Sequence, residues 1–105
     1  DTSFPRLAKY VLDFGARYGE RSKVHIYLVN KALSDNKQLC ELFREKYRSW
    51  REIIKKTIEE RIDEKEKAEG YADLLLILID GLIVQDLVGI ENIDTKQIVS
   101  LIIDK

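Results

Sequence analysis

His25 and Cys40 are the single histidine and the single cysteine of this sequence, so most metal and thiol chemistry is closed from the outset. A helical di-iron site needs Glu-x-x-His pairs on two helices, and one histidine cannot supply them. The carboxylates Glu59, Glu60, Asp63, Glu64 and Glu66 therefore read as a solvated face rather than as metal ligands or an acid–base pair. There is no G-x-S-x-G nucleophile elbow, no glycine-rich phosphate loop and no Cys–His pair at a recognisable spacing. No catalytic residue, metal or cofactor is implied, and the chain reads as a non-enzyme. Arg44, Arg48, Arg51 and Lys55 form a basic stripe at helical spacing that could track phosphates, but Glu41, Glu45, Glu52 and Glu59 flank it and cancel most of its field.

The aromatic residues carry more. Tyr10, Phe14, Tyr18, Tyr27, Phe43, Tyr47 and Trp50 all fall in the first half of the chain. Aromatic stripes at helical spacing usually pack a core. Aromatic walls with a few polar tips also describe small-molecule pockets between the helices of a bundle, where Tyr hydroxyls, Trp50 and His25 would supply the tips. His25 taken alone reads as a hydrogen-bonded or partly exposed helix residue, and Cys40 as a small apolar filler.

These residues need elements to position them. A length of 105 residues supports one domain, and one proline with five glycines is too little punctuation for a turn-rich all-β fold. The expected class is all-α, a bundle of about five helices. Ser3 ahead of Phe4 and Pro5 opens a first helix, about 4–18, with Leu7, Val11, Phe14 and Tyr18 at helical spacing and Gly19 as its stop. A second, about 20–33, carries Val24, Tyr27 and Leu28. The cluster Ser34-Asp35-Asn36 then turns the chain. The third, from Lys37 to near Asp63, aligns Leu39, Phe43, Tyr47, Trp50, Ile54 and Thr57 on one side, and Ile62 on the opposite, charged side implies a bend or an end near Arg61. Residues 63–70 read as a solvated connection steadied by pairs such as Asp63 with Lys67, each worth about 0.3 to 0.5 kcal/mol.

The fourth helix, about 68–88, is apolar all the way round apart from Asp73, Asp80, Gln85 and Asp86. A helix buried on several faces needs more neighbours than so short a chain supplies, and the simplest extra neighbour is a second copy. Gly81 in its middle costs about 1 kcal/mol against alanine, as expected where something packs against bare backbone. Gly89 ends it, and Asp94 caps a short fifth helix, 95–104. Residues 71–105 hold two bases and six acids, against ten and nine in residues 36–70, so the last two helices combine high apolarity with low charge, as oligomer interfaces do. The carboxylates within 71–90 argue against a membrane span, and nothing resembles a signal peptide. A cytoplasmic location is the expectation. Because the chain starts at Asp1 and contains no methionine, it reads as a piece of a longer protein.

The run Ala72-Asp-Leu-Leu-Leu-Ile-Leu-Ile-Asp80-Gly81-Leu82, continued by Ile83-Val-Gln85-Asp-Leu-Val-Gly89, resembles the "aLLxALxDGLxxQxL" segment in the C-terminal regulatory domain of TetR-family transcriptional regulators. The third helix after Leu33-Ser-Asp35 is similar to that family's long helix, although the turn lacks proline and the connection to the fourth helix lacks the usual glycine pair. The resemblance covers essentially all of residues 1–105. It implies a homodimer in which the two C-terminal helices of each copy form a four-helix bundle. It also implies a pocket for a small hydrophobic or amphipathic effector, with operator DNA read by an N-terminal helix-turn-helix that these residues do not include. The residues expected in the pocket are Tyr10, Phe14, Tyr27, Tyr47, Trp50 and Leu78. Those expected at the dimer contact are Ile79, Ile83, Leu87, Leu101 and Ile102. A structural or adaptor homodimer with a filled interior is the other reading.

Overall fold

A computed structural model describes residues 3–16 and 19–103. Five α-helices follow in order: α1 (Phe4–Ala16), α2 (Glu20–Ser34), α3 (Lys37–Glu59), α4 (Ala68–Leu87) and α5 (Thr95–Ile103). A single 3-10 turn, Lys65–Lys67, leads into α4, and no strand occurs among the described residues. The fold is all-α, as expected.

Local chemistry accounts for the breaks. Asn36 accepts a hydrogen bond from the Leu39 amide at 2.9 Å and caps α3, and Asp94 does the same for Gln97 at 3.0 Å at the start of α5. At the end of α4, Gly89 takes φ 96°, its amide bonds to the Asp86 carbonyl, and the Ile90 amide reaches the Gln85 carbonyl. That pair of bonds is a Schellman closure, and the positive φ explains the glycine. Helix α3 stops at Glu59, two residues before the Arg61 end that the phase slip at Ile62 implied, and Lys65 folds its ammonium back onto the Glu59 and Ile62 carbonyls and satisfies the helix end. In the connection, Lys67 pairs with Glu64 at 3.0 Å rather than with Asp63. The predicted ends of the first and fifth helices, at Tyr18 and Asp104, lie outside the described residues.

The core centres on α4. Phe4, Ala8 and Leu12 of α1 meet Ala68, Ala72, Leu75, Leu82 and Ile83 of α4, with Ile58 of α3 and Val99 of α5 closing the cluster. Phe4 and Tyr71 pack edge to face at 4.8 Å between centroids. Alanines at i+4 of α1 and at both Ala68 and Ala72 let the helices approach closely. The stripe predicted for the first helix is therefore displaced: Leu7 and Val11 flank the buried face, and Phe14 is exposed. In α2, Val24 and Tyr27 also point outward, while Ser22 and Ala32 are buried. Helices α1 and α3 flank α4, α2 lies against α3 with a smaller contact to α4, and α5 packs mainly on α1. The α1–α5 contact is pinned where the Thr95 hydroxyl, buried, donates to Asp13 at 2.7 Å, and Lys9 pairs with the second Asp13 oxygen.

Candidate ligand pocket

Between α1, α2, α3 and α4 lies a cavity of about 490 Å³. Helical spacing supplies its walls. Arg21, Ser22 and His25 face it from α2 at i, i+1 and i+4; Tyr47, Trp50 and Ile54 face it from α3 at i, i+3 and i+7, with Ile53 at the rim. Helix α4 contributes Leu76, Ile79, Asp80 and Ile83, and α1 contributes Phe14 and Gly15. Gly15 marks a close approach, since a Cβ there would stand 3.0 Å from Cδ1 of Ile79.

One wall carries a hydrogen-bonded chain that joins three helices. The Tyr47 hydroxyl donates to the Asp80 carboxylate, 3.0 Å from each oxygen, and lies 3.1 Å from Nε2 of His25. With the tyrosine proton given to Asp80, His25 is the donor to Tyr47, which assigns its proton to Nε2. Burial pushes the Asp80 carboxyl above its ordinary range, opposed by the Tyr47 hydrogen bond and the charge of His25. Burial, then the neighbouring carboxylate charge and the hydrogen bond to it, raise the Tyr47 hydroxyl well above the usual phenol range, so it stays a donor. Tyr47 and Trp50 meet edge to face at 5.1 Å, and His25 sits edge-on to Phe43 at 5.6 Å.

Ser22 is different. It is 3% exposed, and its Oγ has no hydrogen-bond partner. It is therefore not activated by His25 as a nucleophile would be. Among the described residues no group of His, Cys, Asp and Glu side chains is arranged to hold a metal ion. Three members of the basic stripe of α3 pair with neighbouring carboxylates: Arg44 with Glu41, Arg51 with Glu69 and Asp73, and Lys55 with Glu69.

Of the residues expected in the pocket, Phe14, Tyr47 and Trp50 line this cavity. Tyr10 does not; it stacks outside on Phe14 at 5.6 Å and is exposed. Tyr27 points to solvent, with the Lys31 ammonium 5.9 Å above its ring, and Leu78 packs against the core instead. The sequence reading missed Arg21, Ser22 and Asp80 as wall residues, because polar side chains on a helix are usually solvated.

The residues expected at the dimer contact are divided. Ile79 and Ile83 line the cavity, and Ile83 is 5% exposed, so it offers no surface to a second copy. Leu87 packs against the core and Ile102 is half-buried, whereas Leu101 is 75% exposed. The apolar face of α4 that is left open is Ile77, Gly81, Val84 and Val88, with Val88 73% exposed and open space around Gly81. Helices α1 and α3 take the other faces, which is why the outward phase of α4 falls there.

The chain is an all-α bundle folded around one central, nearly all-apolar helix, with an aromatic-walled pocket beside it. The family model described as "BetI-type transcriptional repressor, C-terminal" matches residues 6–104, and the chain belongs to this group of TetR-family C-terminal domains. Neither the curated proteins nor the solved structures gave a match.

Proposed function

We propose that this chain is the effector-binding and dimerising part of a cytoplasmic transcriptional regulator, a repressor, whose DNA contacts are made by a helix-turn-helix preceding it. The observation that carries the reading is the aromatic- and isoleucine-lined pocket of about 490 Å³ at the meeting of four helices. The pocket opens to solvent, with Phe14 and Ile53 more than half exposed, and its apolar lining of Phe14, Tyr47, Trp50 and isoleucines supports a small hydrophobic or amphipathic effector. The face Ile77, Gly81, Val84 and Val88, with Leu101 of α5, supports pairing with a second copy. The effector would act by favouring one dimer geometry, and it can shift the operator-binding equilibrium only by its difference in affinity for the two states. Helix α1 is the transmitter in this scheme, since Phe14 and Gly15 touch the cavity while Asp13 holds α5.

Native mass spectrometry of the chain tests both parts. Twice 12.3 kDa is expected, together with a small molecule released on denaturation. A monomer would remove the dimer, and a dimer whose cavity takes up no apolar compound would favour the purely structural homodimer that the same outward face would serve.

A further inference from the structure

Helix α2 lies mainly against α3 and meets α4 only lightly. Across the pocket it is tied to α4 through one hydroxyl: Nε2 of His25 is 3.1 Å from the Tyr47 oxygen, which is 3.0 Å from each oxygen of Asp80. Nε2 itself stands 3.9 Å from Oδ1 of Asp80. His25 is the single histidine of the sequence, and histidine is the side chain whose charge changes between about pH 5 and 8. The other charged or titratable groups facing the pocket are Arg21, one helical turn earlier on α2, Tyr47 from α3 and Asp80 from α4, while α1 brings only Phe14 and Gly15. A guanidinium keeps its charge throughout that range, and Tyr47 keeps its proton.

We infer that the pocket couples ligand binding to the charge of His25: an uncharged apolar ligand binds the form with a neutral ring, and protonation of the ring opposes it. With a neutral ring, His25 gives Tyr47 an ordinary hydrogen bond. With a charged ring that bond becomes charge-assisted and Asp80 becomes the counter-ion, so α2 is drawn toward α4 across the pocket. The ring is also a wall residue whose side chain is 20% exposed, so an apolar body laid on it must strip a cation of its remaining water. Both effects act against the ligand. This rests on the reading of the pocket as an effector site and adds its regulation. By reciprocity, a ligand that prefers the neutral ring expels a proton when it binds.

Titration calorimetry with octanol, which is uncharged throughout, tests the coupling. Binding is expected to be at least about threefold weaker at about pH 5.5 than at about pH 8. Near the middle of that range, two buffers with different heats of ionisation should reveal a proton released on binding. His25→Gln keeps an N–H donor and has no charge to gain, so it should abolish both signals. Asp80→Asn removes the counter-ion and should reduce them; unchanged signals there would overturn the part given to Asp80. Circular dichroism at each pH shows that each chain is folded. Equal affinity at the two pH values, tighter binding in acid, or signals that persist in His25→Gln would overturn the coupling and leave the pocket standing. No binding of octanol at either pH would overturn the pocket and the coupling together.

Discussion

Helix α4 has two unlike neighbourhoods. Toward α1 and α5 it presents Ala68, Ala72 and Leu75 to Phe4, Ala8, Leu12 and Val99, small residues alternating with large ones, and the space is filled. Toward α2 and α3 it presents Leu76, Asp80 and Ile83 to His25, Tyr47, Trp50 and Ile54; α3 packs along α4, while α2 stands off from it across an open pocket. Both sides are built on the same backbone. What separates them is side-chain size and polarity: alanines draw α1 and α4 together, whereas rings and the hydrogen-bonded chain from α2 through Tyr47 to α4 hold α2 off from α4. The α1 side is filled, and the α2 side leaves a pocket.

The contrast can be broken most forcefully by truncation on each side. Leu12→Ala, on a fully buried side chain of the packed side, should destabilise by about 2 to 5 kcal/mol in denaturant unfolding. Ile53→Ala, at the open rim, is 60% exposed and should shift the midpoint by less than about 0.5 kcal/mol. Similar losses at both positions would mean that the cavity side is as tightly packed as the other. A smaller effect is expected of Tyr47→Phe, which leaves Asp80 and His25 without their shared partner: about 1 kcal/mol in the same measurement. An unchanged midpoint would show that the chain does not brace α2 against α4.

The smallest effect is a pH dependence. The Asp80 carboxyl titrates above its unfolded value in the folded chain, so the folded state binds more protons between the two values. Its contribution is fully present below the unfolded value, about 4, and is lost as pH rises through the folded one. Asp80→Asn does not titrate. The variant should therefore be at least as stable as the parent at neutral pH, with the gap in thermal midpoint closing as pH falls through about 4. A gap that is constant with pH would assign the difference to shape rather than charge.

Much of the fold was legible in the sequence because it is written in local chemistry: Asn36 and Asp94 as caps, Gly19 and Gly89 as stops, and helical spacing between them. Two things were not. Ala8 buries as fully as Leu12, but an alanine adds little to an apolar pattern, so the true inner face of α1 was hidden behind Leu7 and Val11. Around α4 nearly every position is apolar, so the sequence carries no phase. Only the placement of α1 and α3 turns Ile83 inward and Val88 outward. Ser22 was invisible for a related reason, since a serine on a helix shows its burial only when neighbouring helices close over it.

The bond between Thr95 and Asp13 spans 82 residues of chain. Closing so long a loop carries an entropic cost on the order of 4 kcal/mol, and it cannot begin until α5 has been synthesised. Until α5 is made, the side of α1 that meets Val99 has no cover from that helix. The contact that fixes α1 against α5 is thus among the most non-local in the bundle, and it forms only once α5 is available to meet it.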